Sequence, residues 1–322
     1  MNFNRRQFLH ALGTAALIAV PGLARAQAWP ARPVRIVLGF PPGASTDIVA
    51  RLMAQWLSER LGQQFIVENR PGAGTNIATE AVARAAPDGY TLLFVTQTNA
   101  INATLYEKLN FNFIRDIAPV AGIVRVAGLM VVNPAFPAKT VAEFIAYAKA
   151  NPGKISMGSA GNGSAQHLYG AMFKIMTGID MVHVPTSGQP LTDLAGGQVQ
   201  VVFSPIPSAL QMVRAGTLRA LAVTTADRLA VLPDTPTVGE TVKGYEASGW
   251  FGLGAPVKTP PDIVERLSKE VAAALADPTI KQRLASLGGD PMPMTSAQFG
   301  ALIGAETERW GKVIRAAGIT VE

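Results

Sequence analysis

The sequence predicts an α/β protein of two lobes, and three observations carry that reading. Short β-branched, apolar segments alternate with longer amphipathic ones of helical period along most of the chain. Two of these transitions run from a strand through a glycine-rich bend straight into a long helix, once near the start and once near the middle. Apolar stretches between and after them suit crossings from one lobe to the other. With 322 residues and 48% hydrophobic content, the chain is long enough for about two domains with full cores.

Residues 1–26 stand apart. Arg5 and Arg6 precede the apolar run FLHALGTAALIAVPGLA, and Ala24-Arg25-Ala26 places small residues where a signal peptidase cuts. This is a secretory signal with cleavage expected after Ala26, so the mature chain starts at Gln27 in the periplasm. NRRQFLH comes near a twin-arginine signal without its leading Ser/Thr and trailing Lys, and the export route stays open between the two bacterial pathways. The segment is too short and too interrupted by glycine and proline to span a bilayer, and no later stretch reaches 18 apolar residues. Its removal takes three of the 28 basic residues and none of the 22 acidic ones, which halves the formal charge from +6 to +3. The remaining Lys and Arg are scattered, which argues against nucleic acid as a partner. Absence of cysteine excludes disulfides and thiol nucleophiles.

In the mature chain, Arg35 to Leu38 reads as a buried strand, GFPPGAS as the bend, and the following residues as a helix closed by Gly62. Ser45 or Thr46 is the expected cap, and Asp47 lies in the first turn, where the helix dipole favours negative charge. Ile48, Val49, Leu52, Met53, Trp56, Leu57 and Leu61 mark the apolar face. A second unit follows: a strand near Gln64 to Glu68, the loop RPGAGTN, a helix over Thr79 to Ala85 and the strand Tyr90 to Val95, together predicting a parallel, doubly wound sheet. Gln97, Thr98 and Asn99 sit at the carboxyl end of that strand, where open α/β sheets bind ligands. Ile117 to Pro134 is the first crossing.

The second lobe opens with a helix capped by Thr140 and ending at Ala150, then the strand Ile155 to Met157 and the loop GSAGNGSAQHL. Gly158, Gly161 and Gly163 free the backbone, Ser159 and Ser164 offer hydroxyls, and Leu168, Met172, Ile175 and Met176 line the next helix. Met181 to Val184 and Val199 to Phe203 continue as strands. Leu191 to Ala195 and Pro207 to Ala215 are helices, and Leu218 to Val223 is a strand. Ala226 to Pro256 suits the return crossing, and three helices starting near Pro261, Pro278 and Ser296 form the tail. The resulting division places 27–125 and 250–322 in lobe 1 and 126–249 in lobe 2.

A helix start fed by a small-residue loop leaves backbone N–H groups free for an anion. Catalytic sets fail: no G-x-S-x-G elbow, no H-E-x-x-H, no EF-hand and no P-loop is present. Mature histidine is limited to His167, in the first turns of a helix from which it could face the cleft, and His183, placed between Val182 and Val184 as a structural histidine would be. The expectation is therefore a binding protein with no cofactor and no metal. An extracytoplasmic enzyme using His167 with Ser159 or Ser164, and a periplasmic sensor domain, are the alternatives.

The run from Pro33 to Phe94, followed by NPGKISMGSAGNGSAQHL, VHVP, GGQVQVVFSPIPSAL, AGTLRALAVTT, RLAVLPDTPTVGE, GWFGLGAP and the closing AAGI, resembles the extracytoplasmic substrate-binding receptors of tripartite tricarboxylate transporters, the Bug receptors. The likeness spans the mature chain. It implies the two-lobed periplasmic binding protein type II, or Venus flytrap, fold, a monomer closing on a small organic carboxylate, and membrane transporter subunits or a sensor protein as partner. In the family the first strand-to-helix loop and its second-lobe counterpart grip the carboxylate. Carried onto this chain, that implies Phe40, Gly43, Ala44, Ser45 and Thr46 on one side and Ser159, Gly161, Ser164 and His167 on the other, with Gln97 and Ser204 beside them. Three departures from the pattern bear on the ligand: PPGAS replaces successive glycines, Thr186-Ser187-Gly188 follows VHVP, and Ser204 stands where Asp or Asn is usual. Short hydroxyls at these places predict an acid with one dominant carboxylate and a neutral body, over amino acids and citrate-like acids.

Overall fold

A computed structural model of the chain describes residues 29–106, 108–186 and 189–320. The signal segment, its cleavage site and Ser187-Gly188 lie outside them. The described residues form a mixed sheet covered by helices on both faces, in the strand order β2-β1-β3-β9-β4-β7-β5-β6. In the first lobe β1 (Val34–Leu38) pairs in parallel with β2 (Phe65–Asn69) and β3 (Thr91–Thr96). In the second, β5 (Ser156–Ser159) pairs in parallel with β6 (Val182–Pro185) and β7 (Val201–Pro205).

Two antiparallel strands join these sets. β4 (Ile117–Val132) pairs with β9 (Ser248–Pro256) through residues 117–127, then exchanges that partner for β7 and β8 (Arg219–Val223) over residues 128–132. The first crossing is thus a single 16-residue strand, and the return crossing, expected only as a Pro/Gly-rich connection, is a strand in the middle of the sheet. Trp250, Leu253 and Ala255 lie buried in it. Register shifts interrupt the β4·β9 ladder twice, between Pro119 and Ala121 and between Gly122 and Val124. Such bulges twist and bend a strand, which suits a crossing. A tenth strand, β10 (Gly289–Met294), pairs with β4 and escaped the sequence reading because two prolines interrupt its alternation.

The first-lobe core has two faces. Val34, Ile36 and Leu38 pack on α1 (Ser45–Leu61) through Val49, Met53 and Leu57, and on α10 (Pro261–Ala276) through Leu267 and Val271. Val37, Leu93 and Val95 face Ala78 and Val82 of α2 (Asn76–Ala83) and Phe299 of α12 (Ser296–Ala317). A strand buried on both faces has to be apolar throughout, which explains why β1 and β3 read as unbroken apolar runs. In the second lobe α6 (Ala165–Thr177) buries Leu168, Tyr169, Met172 and Phe173. The tail helix α12 is shared: Phe299 and Ile303 join the first lobe's core, whereas Trp310 and Ile314 join the cluster around Phe173.

Several helix readings change. Ile48, Ile175 and Met176 are 44%, 46% and 39% exposed, so the apolar faces of α1 and α6 are narrower than expected. Gln97 to Asn99 open a helix, α3 (Gln97–Leu105), instead of a polar loop. Neither Ser45 nor Thr46 caps α1; both lie in its first turn, and the capping position belongs to Ala44.

Gly252 tests how tightly the crossing is packed. A Cβ there would lie 2.2 Å from Phe299 Cζ and 2.6 Å from the Ala121 carbonyl oxygen. Because the backbone atom cannot yield as a side chain does, Gly252→Ala is expected to cost about 1–3 kcal/mol of stability in urea unfolding. An unchanged midpoint would show that the crossing has slack.

Candidate functional site

A cavity of about 170 Å³ opens between the lobes, lined by both of their strand-to-helix transitions. Phe40, Ala44, Ser45 and Thr46 come from the first loop, Ala165 and Gln166 from the start of α6, and Thr96, Gln97 and Thr98 from the end of β3. Val126, Ala127, Gly249 and Phe251 of the crossing strands, with Tyr169 and Pro205, complete the wall. No lining side chain carries a charge, and most of the surface is aliphatic or aromatic.

The first loop is rigid because of Asp47. Its Oδ2 accepts from Gly43 N–H (3.0 Å) and Arg51 Nε (2.9 Å), and its Oδ1 from Asn69 Nδ2 (2.9 Å). Asn69 also donates to the Phe40 carbonyl (3.0 Å). The charge of Asp47 is thus compensated within the loop, by Arg51 and by the two N–H donors. Burial pushes its carboxyl up, but the bonds from Arg51, Gly43 and Asn69 hold it below the usual aspartate range. Gly43 has φ +83°, a conformation that glycine adopts without strain.

The start of α1 is left open. Its first intrahelical bond is Ile48 N–H to Ala44 C=O (3.0 Å), so the N–H groups of Ser45, Thr46 and Asp47 have no acceptor one turn back. Alanine at the capping position supplies none. Beside them Thr46 Oγ1 is buried and unpartnered. A polar atom in that state seeks a ligand or water. The helix dipole adds partial positive charge at the same point.

The second loop is built differently. Ser164 caps α6, accepting from His167 N–H (3.3 Å) and donating to the Gly161 carbonyl (2.8 Å). Gln166 Oε1 accepts from Ala160 N–H (2.7 Å). Only the first-turn N–H groups of Ala165 and Gln166 lack an intrahelical acceptor, and both residues line the cavity.

Of the eleven residues singled out from sequence, Phe40, Ala44, Ser45, Thr46 and Gln97 line this cavity. Gly43 shapes the loop. Ser159, Gly161, Ser164, His167 and Ser204 are not in the lining. Ser159 and Ser204 have no exposed surface, and the Ser204 hydroxyl donates to the Pro205 carbonyl (3.2 Å). Thr186 Oγ1 donates to the Ser159 carbonyl (3.2 Å). The departures from the family pattern at Thr186 and Ser204 therefore do not shape the pocket, because both hydroxyls are spent on backbone. His167 points instead towards a separate cavity that it shares with His183. Ser159 does meet a histidine, but it is His183 (Nε2, 2.6 Å), and among the described residues no carboxylate orients either imidazole.

Gln97 serves the cavity floor. Its Nε2 donates to the Ser248 carbonyl (3.0 Å) and Glu306 Oε2 (3.1 Å), and its Oε1 accepts from Tyr169 OH (2.8 Å). Glu306 is itself buried and accepts from Trp250 Nε1 (3.2 Å), Trp310 Nε1 (2.9 Å) and Arg309 (3.0 Å). Burial raises the Tyr169 hydroxyl far above its ordinary range, so it remains a donor to Gln97 at any physiological pH. Sequence reading missed Tyr169, Phe251 and Glu306, since each looks like an ordinary core or surface residue until α6, β9 and α12 converge.

A two-lobed α/β sheet with paired loops facing an uncharged cleft defines a solute-binding receptor of periplasmic type. The family model described as tripartite tricarboxylate transporter family receptor matches residues 49–319. Protein BugT of Bordetella pertussis is 36% identical over 311 residues, covering 94% of this chain and 95% of that protein. Among solved structures, R. palustris Rpa4515 with adipate is 38% identical at a TM-score of 0.83, covering 91% of this chain and 99% of that one. MatC from Rhodopseudomonas palustris with bound malate is 33% identical at 0.78, covering 89% and 100%. The periplasmic binding protein BugD, 33% identical at 0.79, covers 91% and 100%. The chain belongs to the tripartite tricarboxylate transporter receptor family.

Asp47→Ala is expected to remove three hydrogen bonds to a charged group, each worth about 1.5–3 kcal/mol at most, and to loosen the first loop. Because its folded carboxyl lies below the unfolded value of 3.8, the stabilisation is full above that value and fades as the pH falls through the lowered one. Unfolding of wild type and variant at pH 7 and pH 3 checks this. A gap between them that does not narrow at pH 3 would contradict it.

Proposed function

We propose that the protein is a periplasmic receptor that captures a small organic acid by its carboxylate and passes it, unchanged, to the membrane subunits of a tripartite tricarboxylate-type transporter. The uncapped start of α1 carries this reading: free N–H groups at Ser45 and Thr46 and the unpartnered Thr46 hydroxyl converge on a cavity with no acid in its wall. A few charge-assisted hydrogen bonds at about 1.5–3 kcal/mol each approach the roughly 8 kcal/mol of a micromolar complex. The backbone donors of Ala165 and Gln166 on the opposite lobe give the ligand more contacts when the lobes are together, which favours a closed form. Closure about the crossings near Val124 to Val131 and Ser248 to Gly254 follows, with the lobe limits at 125/126 and 249/250.

The neutral body of the ligand is supported by the lining rather than by Thr186 and Ser204. Phe40, Val126, Ala127, Pro205 and Phe251 offer apolar contact, and no side chain is placed to neutralise an ammonium. An unpaired charge brought among them costs several kcal/mol, whereas an apolar group gains about 25 cal/mol per Å² buried. The relatives with adipate and malate bound support the carboxylate end of the reading.

Ala44→Asp separates folding from binding. A capping aspartate should stabilise α1 by about 0.5–2 kcal/mol, yet it occupies the donors and repels an anion. The expected outcome is a higher melting temperature with carboxylate binding lost, read by calorimetry against hexanoate, benzoate, adipate, malate, aspartate and citrate. Wild-type protein should prefer acids with an apolar body and contract in small-angle scattering on binding them. Tightest binding to aspartate or citrate, or unchanged binding by the variant, would overturn the reading.

Export is checked separately. Protein recovered from the periplasm should have the intact mass of a chain beginning at Gln27, and recovery with Met1 retained would refute cleavage after Ala26.

A further inference from the structure

Both mature histidines lie away from the ligand cavity, and both are bonded to the loop that leads into Ala165 and Gln166 of its second-lobe wall. His167 Nδ1 accepts the N–H of Gly163 (3.2 Å). His183 Nε2 meets Ser159 Oγ at 2.6 Å, and that same hydroxyl donates to the Gly161 carbonyl (3.1 Å) and accepts the N–H of Gly161 (3.1 Å). The two rings stack face to face, 3.5 Å apart and 7° from parallel. The loop from Ser159 to Ser164 thus hangs on an imidazole pair at its beginning and its end. It has little freedom elsewhere, for Gly163 has φ +72° and a Cβ there would lie 2.1 Å from Leu105 Cδ2 of the first lobe.

We propose that His167 is a positioning residue that holds the second-lobe loop only while its ring is uncharged, with His183 stacked against it, so that acidification releases the loop and weakens ligand binding. The inference rests on the reading that Ala165 and Gln166, which follow this loop directly, belong to the carboxylate site. Nδ1 of His167 accepts a hydrogen bond, so the ring is the neutral Nε2–H tautomer, and a further proton has to enter at Nδ1 and displace the Gly163 bond. A second proton on His183 would place two like charges face to face. Among the described residues no carboxylate lines the cavity beside the rings. Met157, Gly170, Ala171 and Met181 flank the rings, and the tail contributes Ala316, Ala317 and Ile319. The one charged group lining that cavity is Lys174, of the same sign, engaged with Asp180 (2.9 Å) and the Met181 carbonyl (3.0 Å).

Burial, reinforced by His183, holds His167 down to about 4, and burial lowers His183 as well. The direction of the effect follows. A released or unfolded ring takes up a proton near 6.5, before the native pair does, so the hold is complete above 6.5 and weakens as the pH falls towards 4.

Nitrogen NMR of the ligand-free protein tests the pair without reference to any ligand. Expected are the Nε2–H tautomer at His167, titration of both rings below 6.5, and amide shifts of Gly161 and Gly163 that follow the same transition. Either ring titrating at 6.5, or an Nδ1–H tautomer at His167, would overturn the inference. Adipate serves as the binding probe. His167→Phe keeps a stacked ring without the acceptor and should weaken adipate binding about five- to tenfold at pH 7, the loss of one neutral hydrogen bond. His167→Asn, which returns a non-titrating acceptor, should recover binding and lose the part of the acid sensitivity between pH 7 and 4 that exceeds the protonation of adipate itself. Identical pH profiles for wild type and His167→Asn would refute the switch. If wild type ignored adipate altogether, the functional reading would be in question, and the ring titration would still decide this one.

Discussion

Beneath the cavity the carboxylate of Glu306 accepts from Trp250, Trp310, Arg309 and Gln97, and Gln97 in turn accepts from Tyr169. These groups come from the first lobe, the return crossing, the tail helix and the second lobe. Removing a partner from such a buried charge costs about 3–5 kcal/mol, because the charge is left unpaired where water cannot reach it. The network therefore fixes where the crossing strands meet α12, and with them the rear of the cleft. Trp310 reinforces the junction by stacking on Tyr169 at 5.6 Å.

The two strand-to-helix loops divide the work unequally. The first spends its carboxylate, Asp47, on its own backbone and leaves the start of α1 uncapped. The second spends its hydroxyls and imidazoles on itself and leaves little free beyond two backbone N–H groups. A helix that gives up a capping residue loses about 1 kcal/mol. That loss is tolerable where the vacant donors have a task, and Ala44 marks the place. Among the residues lining the cavity none is a cation, so positive potential there comes from backbone N–H groups and helix dipoles.

Much of this fold was legible in the residues. β-branched alternation, Gly62 at a helix end, Thr140 as a cap, and prolines at the starts of α10 and of the helix at Pro278 act through local sterics and hydrogen bonding, and they are found where expected. Ala44 to Thr46 were legible for the same reason, since a strand, a small-residue bend and a helix start are neighbours in sequence. Gln97 lines the cavity and also holds its floor, a role its position in the sequence did not tell, and Ser159, Ser164 and His167 lie on or beside the second loop but outside the lining of this cavity. A loop backbone turns side chains inward or outward according to which donors it must satisfy, and those donors are not visible in a string of small residues.

By itself the sequence determined the local units, their order and the family to which they belong, because strand, bend and helix are written within a few residues of one another. The tertiary structure alone decided which groups line the cavity between the lobes. Tyr169, Phe251 and Glu306 reach the cavity or its floor only after β4 and β9 cross and α12 spans both lobes. His167 and His183, sixteen residues apart, become one stacked pair only because parallel β5 and β6 set α6 beside them. Burial then strips water from groups that would be unremarkable when exposed, and it is desolvation, which no local pattern records, that turns a tyrosine, a glutamate and two histidines into fixed parts of a site.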